Sequence, residues 1–373
     1  MEKNKKDKKF GLMFVVLGAA AFVGFVLFFI LSFSPAVVVQ YARDSNNGLV
    51  TDHNKNFPGT LVNSRDKKIR MAFFGDLMID RNVKTKIDKY GMDYLFEKVA
   101  SSSVWQDISD SDLIMANLEG AVTDDGQHYR PEMSYDFAFA PDRIKQLADY
   151  GFDAFNIANN HLADQGENGI METDENLEKL GIFYFGCADQ QVGECSVKVK
   201  EIDGKKIGWA GFSMVYGTLD EERLLARIIN LASSTDLVIV NMHWGVEYDH
   251  SFNKVQQDLA QKIIDAGADV IIGHHPHVVQ GMEIYQGRPI FYSLGNFVFD
   301  QYFSADTQEG LGVRMVMADG VLSFSLLPFK SRLTQIEFME KEEKAQFFKK
   351  FLGWSGLKQN NDILVDGTLE IKL

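Results

Sequence analysis

The residues that invite chemistry are imidazoles. The chain has 373 residues and eight histidines, and three of them, His274, His275 and His277, fall within "DVIIGHHPHVVQ", Asp269 to Gln280. They follow an apolar run, Val270-Ile271-Ile272, that reads as a buried strand. Other apolar runs end in the same manner: "MAFFGD" at Asp76, "LIMANLE" at Asn117 and Glu119, "FNIANNH" at Asn160 and His161, and "LVIVNMH" at His243. In an α/β sheet, ligands bind beyond the carboxyl ends of the strands. Five such ends, carrying carboxylate, amide and imidazole groups and no thiolate, point to a centre for one or two divalent metal ions. The candidate ligands at these ends are Asp76, Asn117, Glu119, Asn160, His161, His243, His275 and His277. Such a donor set suits Mn, Zn or Fe without choosing among them. His274 reads as a support behind the pair His275 and His277, which stand at alternate positions.

Taken singly, each residue has an ordinary reading. Asp76 would be a turn or a helix cap, His161 the cap of a following helix, and His243, beside Trp244-Gly245, a core histidine. Five of the eight histidines at three strand ends, with two acids at two others, are not accounted for that way. Other chemistries lack their motifs: no H-E-x-x-H, no G-x-x-x-x-G-K-[ST], no G-x-G-x-x-G after a strand and no G-x-S-x-G occurs.

The elements that must position these groups alternate. Strand-like "IRMAFFG", "DLIMAN", "AFNIAN", "KKIGWAG", "DLVIVNMH" and "DVIIGH" are interleaved with amphipathic segments. Helices are expected over "VKTKIDKYGMDYLFEKVA", 141–150, 169–180, 221–231 and 254–266. After "DVIIGH" the helices stop and consecutive strands with Gly turns follow, "VVQGMEIYQGRPIFYSLGNFVF", "LGVRMVMADG" and "VLSFSLLPF". The fold class is therefore layered α/β. One domain is expected over 68–330, with a C-terminal helix/strand extension over 331–373 whose "EKEEKAQFFKKFLGW" is an amphipathic helix packed on the domain.

The N-terminus is different in kind. Residues 10–33 contain no charge, and as a helix they would reach roughly 36 Å, enough to cross a hydrocarbon core of about 30 Å. Residues 1–9 carry five lysines and are net +3, so they are expected to be a cytoplasmic tail. The run is longer than the hydrophobic region of a cleaved signal peptide, and Pro35 sits inside the would-be cleavage site Ser34-Pro35-Ala36, so an uncleaved single-pass plasma-membrane anchor is favoured. Residues 34–67 then read as an extracellular stalk, and the domain as extracellular. Net charge is −14 overall and −17 beyond residue 9, which argues against nucleic acid as a partner. Cys187 and Cys195 flank "ADQQVGE"; a small disulfide loop and two free thiols are both compatible with that spacing.

Six motifs in order, "GDLMIDR" (75–81), "NLEG" (117–120), "NIANNHLADQG" (156–166), "HWGVEY" (243–248), "GHHPHVVQG" (273–281) and "YSLGNFVFD" (292–300), resemble the CapA family of capsule and poly-γ-glutamate biosynthesis proteins. The resemblance covers about Ile69 to Asp300 and implies a membrane-anchored, outward-facing protein with a domain similar to calcineurin-like metallophosphoesterases, a layered β-sandwich flanked by helices. It implies metal roles for Asp76, Glu119, Asn160, His243, His275 and His277, and a leaving-group role for His161, with Asp164 as the further catalytic candidate. Met78 stands where that larger family has a metal-binding histidine, and Glu119 where it has a bridging aspartate. Arg81, Asn117, Glu247, Tyr248 and Asn296 are the expected substrate-binding residues. The implied function is synthesis, export or anchoring of an anionic extracellular polymer, with the membrane, that polymer and membrane subunits of a polymer synthase as partners. Two further readings stand beside it: a metal-dependent hydrolase of phosphoester or polymer amide bonds, and a metal-free polymer-binding scaffold.

Overall fold

Successive side chains of a strand point to opposite faces, and that alternation builds the layers here. In β1 (Ile69–Leu77) Met71 and Phe73 enter one apolar cluster while Ala72 and Phe74 enter another. The computed structural model describes residues 68–130, 135–356 and 367–373. The expected tail, membrane span and stalk, residues 1–67, lie outside the described residues. No described helix is long and apolar enough to cross a membrane.

The first sheet runs parallel through β1, β2 (Leu113–Leu118), β3 (Phe152–Asn156) and β4 (Phe183–Phe185). The second contains β5 (Val197–Ile202), β6 (Lys205–Ser213), β7 (Leu237–His243), β8 (Val270–His274), β9 (Met282–Tyr285) and β10 (Arg288–Phe291), in the order β5-β6-β7-β8-β10-β9. Its central strands β6, β7, β8 and β10 are parallel. The chain then returns to the first sheet. β11 (Asn296–Val298) pairs with β1, and β12 (Glu309–Ala318), β13 (Val321–Arg332), β14 (Gln335–Phe338) and β15 (Thr368–Lys372) extend it antiparallel.

Three apolar clusters make four layers. Between the sheets lie Met71, Phe73, Met115, Trp209, Ile239 and Ile272. The outer face of the first sheet is covered by α1 (Arg81–Tyr90), α2 (Asp93–Phe96), α3 (Ser103–Ser109), α4 (Pro141–Ala148) and α5 (Gly166–Lys179). The outer face of the second carries α6 (Glu221–Ala232) and α7 (Lys254–Asp265). In α8 (Lys341–Trp354), Phe347, Phe348, Phe351 and Leu352 join the inter-sheet cluster. Because β13 passes through residue 330 and β14 and β15 pair with it, the C-terminal segment shares the first sheet.

The layered α/β class follows the sequence reading, with local differences. The helix expected over 83–100 is two helices, α1 and α2, because Gly91 takes φ 85° and caps α1 through its N–H to Ile87 O at 2.8 Å. α5 starts at Gly166, three residues earlier than expected. α3, β4 and β5 were not expected. β4 is only three residues long, too short to stand out, and β5 is a lysine-bearing edge strand whose outer side chains face solvent, so it shows no apolar run.

Candidate metal centre

The parallel strands of both sheets deliver their carboxyl ends to one place, and two glycines let them come close enough. A Cβ on Gly75 would stand 1.8 Å from the Gly295 carbonyl oxygen, and one on Gly273 would stand 1.9 Å from that of Tyr292. Without side chains there, Asp76 N–H reaches Gly295 O at 3.0 Å and Leu294 N–H reaches Gly273 O at 3.0 Å. Asp76 closes β1, Glu119 follows β2, Asn160 and His161 follow β3, His243 closes β7, and His275 and His277 follow β8.

These side chains meet. Asp76, Glu119 and His243 offer donor atoms within 4.8 Å of one another, and so do Glu247, His275 and His277. His243 Nε2 lies 2.7 Å from Asn160 Oδ1, which adds the amide. Asp76 and Glu119 are both fully buried. His277 Nδ1 is 3.4 Å from Asp76 Oδ2 and its Nε2 is 3.7 Å from Glu119 Oε1. His275 and His277 take positive φ, 98° and 58°. Residues without glycine's freedom hold such angles only where surrounding contacts impose them. Here the contacts are His275 N–H to Asp76 Oδ2 at 3.2 Å and His277 Nδ1 to Asn296 Oδ1 at 2.9 Å.

The electrostatics are those of a cation site. Burial pushes Asp76 up, but His277, His274 and the Asn117 amide outweigh it and the net shift is downward. Burial and the Asp76 charge hold Glu119 well above the usual carboxyl range. Burial drives His243 far below its ordinary value and takes His274 and His275 down to about 4. His277 is opposite: burial would lower it, yet Glu119 and Asp76 raise it to about 9. Neutral imidazoles are the form that binds metal. Glu119 Oε1 and His275 Nδ1 are buried without a hydrogen-bond partner. Leaving such atoms unpaired costs about 1–3 kcal/mol each. The residues present therefore fit divalent ions, for which Asp76, Glu119, Asn160, His243, His275 and His277 would be the donors.

Above the centre opens a cavity of about 680 Å³. His277, Asn160 and His161 reach it from below, and Arg81, Glu247 and Tyr248 line it. Arg81 is ion-paired with Asp300 and lies 4.8 Å from the Phe137 ring centroid. His161 Nδ1 is 2.8 Å from Asp164 Oδ2, which also accepts Phe137 N–H at 2.9 Å. Asp164 thus fixes Nδ1–H and turns Nε2 toward the centre, 3.8 Å from Glu119 Oε1.

Asn117 and Asn296, expected at the substrate, are instead buried beneath it. Asn117 Nδ2 donates to Asp76 Oδ1 at 2.8 Å and its Oδ1 accepts from Asn156. Asn296 holds His277 and donates to Thr307 O at 3.0 Å. His274 lies behind the centre, its Nε2 3.1 Å from Asn241 Oδ1 and its Nδ1 3.7 Å from Asp76 Oδ1.

Of the aromatic rim, sequence reasoning named Tyr248 but missed Tyr135, Tyr216 and Phe303; the four are between 45% and 73% exposed around the cavity. Tyr216 could have been found by the same strand-end rule, since it follows β6. Its position depends on Cys187 and Cys195, which are joined in a disulfide. The loop they close carries Asp189, which accepts from Val215 N–H at 2.9 Å, Tyr216 N–H at 3.0 Å and Ser213 Oγ. Tyr216 OH in turn accepts from Asn160 Nδ2 at 3.2 Å. Asp189→Ala is expected to cost about 1–3 kcal/mol by stranding these donors. Chemical denaturation measures it; an unchanged midpoint would show that water replaces the carboxylate.

Residues 70–301 match the family described as "Bacterial capsule synthesis protein PGA_cap". The chain is 30% identical over 282 residues to the capsule biosynthesis protein CapA of Bacillus anthracis, a match covering 70% of this chain and 67% of that protein. It is 31% identical over 278 residues to the PGA biosynthesis protein CapA of Bacillus subtilis (strain 168), covering 70% and 72% respectively. Among solved structures, a phosphatase from Mycoplasma pneumoniae aligns at 13% identity with a TM-score of 0.41, over 77% of this chain and 98% of that one.

Proposed function

The chain belongs to the bacterial capsule synthesis protein family, and from that membership we propose that it serves the biosynthesis of an extracellular poly-γ-glutamate or capsular polymer through a divalent-metal centre. The observation that carries the metal part is the burial of two carboxylates, Asp76 and Glu119, among imidazoles, with Glu119 Oε1 and His275 Nδ1 left without hydrogen-bond partners. Two buried like charges are expensive, and divalent cations offset them. The polymer class comes from the relatives' descriptions, capsule biosynthesis and PGA biosynthesis.

A dication held there supplies Lewis acidity to a phosphoryl or carbonyl oxygen. The chain's own residues do the rest. Asp164 orients His161, whose Nε2 delivers or receives a proton at the leaving atom. Arg81 and the aromatic rim position the substrate in the cavity. The cavity is acidic: its guanidinium is already paired with Asp300, and Glu247 faces it. An anionic polymer is therefore drawn in by the metal charge rather than by the protein surface. This favours a metal-dependent hydrolase of phosphoester or polymer amide bonds over a metal-free scaffold. The apolar, uncharged segment 10–33 with its lysine-rich flank supports anchoring in the plasma membrane with the domain outside, beside membrane subunits of a polymer synthase.

The test is complementation. A host strain lacking the gene receives either the wild-type chain or His275→Ala/His277→Ala, and cell-associated polymer is weighed with protein levels matched. Restoration by the wild type alone supports the proposal. Full restoration by the double variant would leave the scaffold reading, and failure of the wild type to restore polymer would remove the polymer assignment.

A further inference from the structure

Met78 occupies the position at which the resemblance expects an imidazole, and the structure shows why it cannot serve as a ligand. Its side chain is fully buried in the apolar cluster beneath the helices, and its sulfur accepts the Asp80 N–H at 3.1 Å. The lost donor has a replacement on the other sheet. The Glu247 carboxylate lies with the His275 and His277 ring nitrogens in a group whose donor atoms are all within 4.8 Å of one another. This group shares no residue with Asp76, Glu119 and His243. His275 is 3% exposed, and its Nδ1 has no hydrogen-bond partner.

The backbone holds Glu247 in place. Its segment follows β7 and is stapled across the turn after β8 at both ends: Trp244 N–H reaches His274 O at 3.1 Å, and Tyr248 N–H reaches Pro276 O at 2.8 Å. Tyr248 adopts φ 65°, as His275 and His277 adopt 98° and 58°. Three strained residues facing one another across this turn mark a preorganised constellation rather than a loose surface acid.

We propose that Glu247 is a metal ligand, completing with His275 and His277 a second ion site in place of the donor absent at Met78. The inference rests on the metal centre proposed above and deepens it: the chain holds two ions. The ligand sets differ. Asp76, Glu119 and His243 offer two carboxylates and one imidazole; Glu247, His275 and His277 offer one carboxylate and two imidazoles. The imidazole-richer set favours Zn²⁺, and the carboxylate-richer set is the better host for Mn²⁺.

The experiment is metal stoichiometry of the full-length protein. Stripped wild type, Glu247→Ala and Glu247→Gln are equilibrated with Zn²⁺ alone or Mn²⁺ alone, dialysed and analysed for bound metal, with calorimetric titration alongside. The expected result is two equivalents for the wild type and one for both variants. Melting temperatures of the stripped proteins should agree, because Glu247 is exposed. Two equivalents with unchanged affinity in the variants would overturn the proposal and leave Glu247 as a substrate contact. One equivalent in the wild type, unchanged in the variants, would overturn it too, leaving a single-ion centre. No bound metal in the wild type would remove this inference together with the metal centre on which it rests, an outcome distinct from the other two.

Discussion

A His275→Ala/His277→Ala variant is expected to lose the rise in melting temperature that Mn²⁺ or Zn²⁺ gives the wild type. A ligand that binds only the folded state stabilises it by about 4 kcal/mol at roughly a thousand times its dissociation constant. At about 2–4 °C per kcal/mol for a domain somewhat smaller than this one, the wild-type gain is on the order of 10 °C. The double variant also melts lower without metal. His277 is the imidazole facing both buried carboxylates, at 3.4 Å from Asp76 and 3.7 Å from Glu119, and removing one partner of a buried pair costs about 3–5 kcal/mol. The readout is therefore the metal-dependent difference, and His275→Ala alone is the milder control, because it leaves the His277 contacts intact. The pH dependence has a definite sign. His277 is raised from 6.5 to about 9, so in stripped protein its protonated contact stabilises fully below pH 6.5 and is lost as pH rises through about 9. Metal must displace that proton, so the metal-dependent gain grows as pH rises toward 9. Equal metal-dependent gains in wild type and double variant would exclude these histidines as ligands.

The second large effect is one of backbone approach. Gly273→Ala places a methyl group 1.9 Å from the Tyr292 carbonyl oxygen. That oxygen already accepts the buried Trp244 indole N–H at 3.0 Å, and the Gly273 carbonyl accepts Leu294 N–H at 3.0 Å. Neither backbone can yield without separating β8 from the strand beside it and breaking the chain's entry into His274–His277. Overpacking usually costs about 1–3 kcal/mol, and a clash with a fixed carbonyl exceeds that range. We expect a loss above about 4 kcal/mol, seen as insoluble protein or as a melting temperature lowered by more than roughly 8 °C. Gly320→Ala, at a turn where a Cβ meets nothing within 4 Å, is the comparison, though its φ of 73° carries a smaller strain of its own. If Gly273→Ala melts like the wild type, the strands are less tightly apposed than the structure shows.

The strand-end donors were legible because their logic is local. An apolar β-branched run ending in Asp, Asn-Leu-Glu, Asn-His or His-His-Pro-His already says where a parallel sheet will present its ligands. Asp76, Glu119, Asn160, His243, His275 and His277 all lie at such ends, and all meet. The helix Glu221–Ala232 was legible for a related reason, since its buried Leu224, Ile228 and Leu231 recur at helical spacing. β5 was not: its lysines mark an edge strand, and only pairing with β6 makes it one.

What the sequence determined by itself was the inventory of donors, the alternation that sends Met71 and Phe73 one way and Ala72 and Phe74 the other, and the family. What the tertiary structure decided was the direction of each polar group. Asn117 and Asn296 turn inward to hold Asp76 and His277, because buried carboxylates and imidazoles need partners and these amides are the nearest. Glu247 faces two histidines 28 and 30 residues away in sequence, because two strands of one sheet end side by side. Tyr216, which contacts Asn160, is held by Asp189 of a loop closed by a disulfide whose pairing the spacing left open. Periodicity is a property of neighbours along the chain, whereas these contacts are set by sheet register, and register exists only once distant strands have paired.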